Sequence, residues 1–85
     1  MDLRALDLNL LAVFDALMIE RHVSRAADRV ALSQPAMSNA LSRLRAALGD
    51  PILVRTSRGM EPTARSLELH GPINAALAQI QHTLS

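Results

Sequence analysis

Cysteine, lysine, tryptophan and tyrosine are all absent from this chain of 85 residues. Without cysteine, neither a disulfide framework nor a thiolate metal site can support so small a core. Phe14 is the one aromatic residue, so there is no platform on which the bases of a single strand could stack. Three glycines and four prolines are too few for a loop-rich or low-complexity chain. Long apolar runs are missing as well: the longest, Leu10 to Phe14, stops at Asp15, far short of the about 18 residues of a membrane span. Met1-Asp2-Leu3-Arg4 carries no basic cluster and leads into no small-residue cleavage site, so no secretory signal is expected and the expected compartment is the cytoplasm.

What is present is a folding composition, 49% hydrophobic, of a size that makes one small domain. The formal net charge is only +1, but its distribution is uneven. Residues 1–20 set Arg4 against Asp2, Asp7, Asp15 and Glu20. Residues 21–65 set Arg21, Arg25, Arg29, Arg43, Arg45, Arg55, Arg58 and Arg65 against Asp28, Asp50 and Glu61, and residues 66–85 add only Glu68. A basic centre between acidic ends suits a polyanion, and arginine offers a planar fork matched to phosphate and guanine. A solvated Arg-rich surface is the plain alternative, and charge by itself does not decide.

Periodicity predicts four helices and a hairpin. Leu10, Val13, Phe14, Leu17 and Met18 recur at helical spacing from Asp7 to about Glu20, with Asp7 as the N-cap and Leu6 and Leu11 as a hydrophobic staple. Ser24 can cap a short second helix, Arg25 to about Val30, whose small residues Ala26 and Ala27 admit a close neighbour. The third helix, about 34–48, is capped by Ser33 or Gln34, takes Pro35 in its first turn, and ends at Gly49 before Pro51. Met37, Ala40, Leu41, Leu44, Ala47 and Leu48 fall on one side of it. Gln34, Ser38, Asn39, Ser42, Arg43 and Arg45 fall on the other, which carries no carboxylate. Ile52 to Arg55, a Gly-containing turn, and Met60 to Pro62 read as a hairpin with Pro62 at an edge.

Thr63 opens the last helix. Leu69, Ile73, Leu77, Ile80 and Leu84 form a near-heptad seam expected to face nothing else in the chain, with Leu67 and Leu69 able to pack on the first helix. Gly71-Pro72 is expected to kink or loosen that helix. A partner helix is the expected cover for Leu77, Ile80 and Leu84.

A short helix, a turn and a longer helix with a polar, carboxylate-free outer face make a helix-turn-helix. The second helix of that motif enters a groove lined by phosphates, so its outer face cannot be acidic. Its first residues must hydrogen-bond to base edges, which Gln34, Ser38 and Asn39 can do. Arg55 and Arg58 on the following hairpin suit a wing that touches phosphate or a minor groove.

These residues also carry a family likeness. Val23-Ser24-Arg25-Ala26-Ala27, Leu32-Ser33-Gln34-Pro35-Ala36-Met37-Ser38, Arg43-Leu44-Arg45 and Ile52-Leu53-Val54-Arg55 resemble the LysR-type transcriptional regulators. Asp7-Leu8-Asn9-Leu10-Leu11 and the run from Arg55 to Thr63 look like the branch containing nodulation and aromatic-degradation regulators. The resemblance spans essentially the whole chain. It implies a mainly α fold: a winged helix-turn-helix, with a three-helix core and a two-stranded wing, over residues 1–62. A long linker helix for dimerisation follows over residues 63–85.

It also implies bacterial, sequence-specific binding of double-stranded DNA as a homodimer on an interrupted palindrome. The recognition helix would lie in the major groove and the wing, 52–62, on the flanking minor groove or backbone. By position, Gln34, Pro35, Ser38 and Asn39 would read bases. Ser33, Ser42, Arg43, Arg55, Thr56, Ser57 and Arg58 would contact backbone or minor groove. Ile73, Leu77, Ile80 and Leu84 would form the dimer helix. The family's effector-binding domain has no counterpart in this chain, so a small-molecule effector would act only through that absent part. Two departures stand out: many members have Leu-Phe where this chain has Ile52-Leu53, and many have Glu at Arg45.

No catalytic constellation competes with this reading. Ser24, Ser33 and Ser38 have no His–carboxylate partner in view, so no enzyme is expected. His22, His70 and His82 lack ligand spacing, so no metal or other cofactor is expected. A helical protein-interaction module that dimerises without specific DNA binding is the alternative, and the carboxylate-free face counts against it.

Overall fold

The computed structural model describes residues 1–85. After a 3-10 turn at Leu3–Ala5 come α1 (Asn9–Glu20), α2 (Val23–Arg29), α3 (Gln34–Leu48), β1 (Leu53–Thr56), β2 (Gly59–Pro62) and α4 (Ala64–Leu84). The architecture is the expected one: a three-helix core, a two-stranded wing and a long last helix. The core gathers Phe14 and Leu17 of α1, Ala26 and Ala27 of α2, Met37 and Leu44 of α3, and Ile52 and Leu53 of the wing. Enclosing one large apolar side chain contributes about 1.5–3 kcal/mol, so Phe14, Leu17, Met37, Leu44, Ile52 and Leu53 supply much of what holds so small a domain together.

Helix ends follow local chemistry, with some departures from expectation. Asp7 is not the N-cap of α1: Leu8 holds that position without a side-chain cap, and Asp7, one residue earlier, accepts Asn9 N–H on Oδ1 at 3.0 Å. The α2 cap is His22 rather than Ser24: His22 Nδ1 accepts Arg25 N–H at 3.2 Å, and the helix begins at Val23. Ser24 is thereby left inside α2 with its hydroxyl free for another partner. Ser33 caps α3 through Ala36 N–H at 3.3 Å, with Pro35 in the first turn. Leu32 and Met37 pack into the core on either side of that cap, as a hydrophobic staple requires. Gly49 closes α3 at φ 61, where a glycine adopts the left-handed region without the penalty of a side chain.

The wing strands pair antiparallel, Leu53 with Pro62 through Thr56 with Gly59. Ile52 stands before β1 rather than in it. Its φ is 70°, a region that sterically opposes a β-branched side chain. Three hydrogen bonds hold it there: its N–H donates to Asp50 Oδ2 at 2.8 Å, and its carbonyl accepts Thr63 N–H at 3.0 Å and the Ser66 hydroxyl at 2.8 Å.

α4 runs unbroken from Ala64 to Leu84 with Pro72 inside it, so Gly71-Pro72 does not end the helix. A residue before proline is normally pushed out of the helical region by its own Cβ, and Gly71 has none. Asp15 of α1 also bridges the site, accepting His70 Nε2 at 2.9 Å and Asn74 Nδ2 at 2.8 Å. The seam of α4 is divided rather than wholly unpartnered. Leu69 and Ile73 pack on the core, Leu77 is half-buried, and Ile80 and Leu84 are exposed; Leu67 points to solvent instead of onto α1.

Candidate nucleic-acid interface

The turn between α2 and α3 sets the outer face of α3 outward because Met37, Ala40, Leu41 and Leu44 anchor the opposite face. Gln34, Pro35, Ser38, Asn39, Ser42 and Arg43 are all exposed on that outer face. α3 contains no acidic residue, so a phosphate-lined groove meets no like charge there. Two of these side chains have partners within the chain. Gln34 Nε2 donates to Ser24 Oγ at 2.7 Å, and Arg43 pairs with Asp7 Oδ2 at 3.2 Å. The Asp7 carboxyl titrates below its ordinary value, first because it accepts Asn9 N–H and secondarily because of Arg43, with burial opposing.

The wing is built by its own polar groups. Thr56 Oγ1 accepts Arg58 N–H at 3.1 Å and donates to the Gly59 carbonyl at 3.2 Å, which closes a two-residue tip of Ser57 and Arg58. Arg58 reaches Glu61 at 3.2 Å. Arg55, Ser57 and Arg58 are exposed, whereas Thr56 is half-buried and Ser33 is engaged as the α3 cap. Arg45 donates to the Pro51 carbonyl at 2.9 Å and so braces the turn into the wing.

One feature escapes the linear sequence. The start of α2 and the wing enclose a cleft of about 610 Å³ lined by Arg21, Arg25, Arg55 and Arg58, with Glu20 and Glu61 on its walls. Glu20 binds Arg29 at 2.9 Å and Arg25 at 3.6 Å, which leaves Arg21 and Arg55 as the less compensated charges. The signal in the sequence was the local excess of arginine; nothing in it aligned these two segments. Ile73, Leu77, Ile80 and Leu84 lie along α4 and line none of this cleft. No group of His, Asp and Glu is placed to hold a metal ion, and no helix is long and apolar enough to cross a membrane.

A helix-turn-helix with an arginine-bearing wing beside a carboxylate-free helix defines the class: a winged helix-turn-helix DNA-binding domain. The family model of the bacterial regulatory helix-turn-helix proteins, lysR family, matches residues 8–66. The chain belongs to the LysR family.

Among curated relatives, it is 53% identical over 85 residues to the HTH-type transcriptional activator NagR of Ralstonia sp, covering 100% of this chain and 28% of that protein. It is 50% identical over 84 residues to the HTH-type transcriptional activator NahR of Pseudomonas putida, covering 99% and 28%. The chain thus spans little more than a quarter of these relatives. Among solved structures, it matches the probable transcriptional regulator PA0477 from Pseudomonas aeruginosa at TM-score 0.90 and 46% identity, covering 96% of this chain and 28% of that one. It also matches the BenM DNA-binding domain in complex with catB site 1 DNA at TM-score 0.81 and 25% identity, covering 93% and 89%.

Proposed function

We propose that this chain is the sequence-specific, double-stranded DNA-binding domain of a LysR-type transcription regulator and that it acts in the cytoplasm. Residues 1–62 bind DNA, and residues 63–85 form the linker helix. Gln34, Pro35, Ser38 and Asn39 face base edges in the major groove. Ser33, Ser42 and Arg43 face the backbone beside α3, and Arg55, Thr56, Ser57 and Arg58 face the flanking backbone or minor groove. The observation that carries this reading is the exposed α3 face, which is rich in hydrogen-bonding groups, free of carboxylates, and flanked by the arginine-lined cleft. Family membership supports the same reading, as does a similar domain solved on DNA.

The chain works as a homodimer through α4, since Leu77, Ile80 and Leu84 border a groove of about 460 Å³ with Ala16 and Val30 that another helix can fill. A two-fold dimer reads two half-sites, so the operator is an interrupted palindrome.

Selection of duplexes from a random library, followed by salt titration of the winner against scrambled duplex, tests this. An enriched two-half-site palindrome preferred by roughly a thousandfold is expected. No enrichment from a chain that is dimeric by mass would overturn DNA reading in favour of a dimerisation module.

A further inference from the structure

Gln34 opens α3 and Ser24 is the second residue of α2. The turn between the helices brings Gln34 Nε2 to 2.7 Å from Ser24 Oγ, with the amide donating. The Ser24 hydroxyl is available because His22, not Ser24, caps α2. Ser24 is half-buried and carried on a helix whose Ala26 and Ala27 are locked in the core, so it is a firm anchor for a side chain that is otherwise exposed. An unanchored glutamine loses much rotamer freedom when a ligand orders it. Here the ordering exists before any ligand arrives, which lowers that cost at binding.

The chemistry of the carboxamide sharpens the point. It has two N–H donors and one acceptor oxygen. Ser24 takes one N–H. When the N–H given to Ser24 is the one trans to Oε1, the other N–H stays beside Oε1, a donor next to an acceptor. Adenine presents the complement in the major groove, N7 as acceptor and the N6 amine as donor, whereas guanine presents two acceptors.

We propose that Ser24 is a positioning residue for base reading: its hydroxyl pins the Gln34 carboxamide so that the remaining N–H and Oε1 select adenine. This rests on the reading that Gln34 contacts a base. Ser24 itself touches no base and sets the selectivity of a neighbour.

The test uses the chain with its selected operator, every single-base-pair variant of that operator, and scrambled duplex, all in competition at one salt concentration. Wild type is compared with Ser24→Ala, Ser24→Thr, Gln34→Ala and the double variant Ser24→Ala/Gln34→Ala. Gln34→Ala is expected to identify one pair per half-site, with adenine preferred, at which selectivity is lost. Ser24→Ala is expected to lower selectivity at that pair alone by about three- to tenfold, the worth of one hydrogen bond, with scrambled-duplex affinity unchanged. Ser24→Thr keeps the hydroxyl and keeps the selectivity, and the double variant matches Gln34→Ala.

A selective loss in Gln34→Ala with none in Ser24→Ala would overturn the positioning role and leave base reading intact. Uniform weakening by Ser24→Ala, also in the Gln34→Ala background, would overturn it in favour of a phosphate contact. Guanine preferred at the Gln34-dependent pair would overturn the amide orientation. A uniform loss in Gln34→Ala would remove the base-reading role, and this proposal with it.

Discussion

Ser66, fully buried in the first turn of α4, donates its hydroxyl proton to the carbonyl of Ile52, 2.8 Å away. Ile52 is the residue whose backbone is least at ease, a β-branched side chain at φ 70°. Strain of this kind costs about 1–3 kcal/mol and persists only where surrounding contacts over-determine it. Asp50 supplies one such contact and itself accepts the Thr63 hydroxyl at 2.6 Å. The wing and the last helix therefore leave the core through one shared polar node, so the direction of each depends on the other.

Replacing Ser66 with alanine is expected to lower stability by about 1–2 kcal/mol, because a buried hydrogen bond is removed from a carbonyl that water cannot reach. Urea denaturation measures this, and amide exchange in β1 and β2 should rise more than in α3. A loss within about 0.5 kcal/mol, the range of ordinary surface changes, would show that the node is held without Ser66.

Arg43 stands on the exposed outer face of α3, where it is paired with Asp7. Asp7→Asn separates the two roles of Asp7, since an asparagine side chain still accepts Asn9 N–H while the charge on Arg43 is released. Affinity for DNA is expected to rise roughly two- to fivefold at low salt, with the gain shrinking as salt screens it. The native carboxyl titrates below its ordinary value, so its stabilising contribution is complete above about pH 3.9 and is lost as pH falls through the lowered value. Acid unfolding followed at pH 2–5 should therefore show a shallower slope for Asp7→Asn, and equal slopes would contradict the assignment.

α3 was legible from sequence because every local signal agreed: Ser33 as cap, Pro35 in the first turn, a one-sided apolar face and Gly49 at its end. The α2 start was not. Serine is the preferred cap by type, and only the bend after the left-handed Arg21 turns His22 Nδ1 onto the helix end. Ile52 was not legible either, since a β-branched residue is the last expected at positive φ, and the bonds that hold it come from Asp50, Thr63 and Ser66. The residues exposed on the outer face of α3 could be named one by one from the helix-turn-helix pattern. The ties among them, Gln34 to Ser24 and Arg43 to Asp7, depend on how the helices cross, which local pattern does not encode.

Asp15 holds both sides of the Gly71-Pro72 step through His70 and Asn74, while Phe14 meets the His70 ring edge-on at 6.1 Å. Asp15→Ala is expected to cost about 1–2 kcal/mol, because half-buried His70 loses its acceptor whereas exposed Asn74 turns to water. Amide exchange should quicken along α4 beyond Pro72, and affinity for the full palindrome should fall with base preference unchanged, because the outer face of α3 is untouched. A changed base preference would show that α4 docking reaches the recognition helix.

Ile80 is 56% exposed and Leu84 80% exposed in the single chain, so neither contributes much to its folding. A pairing role makes the opposite demand, because burial against a second α4 would remove that apolar surface from water. Ile80→Glu is therefore expected to leave the monomer fold intact by circular dichroism while shifting the sedimentation equilibrium mass from dimer to monomer. The thermal midpoint of the wild type should depend on concentration, as it does when folding and association are linked, and that of Ile80→Glu should not. On DNA, Ile80→Glu should bind the palindrome no better than an isolated half-site, with the same base preference. A dimer that persists in Ile80→Glu would place the subunit interface elsewhere than on this seam.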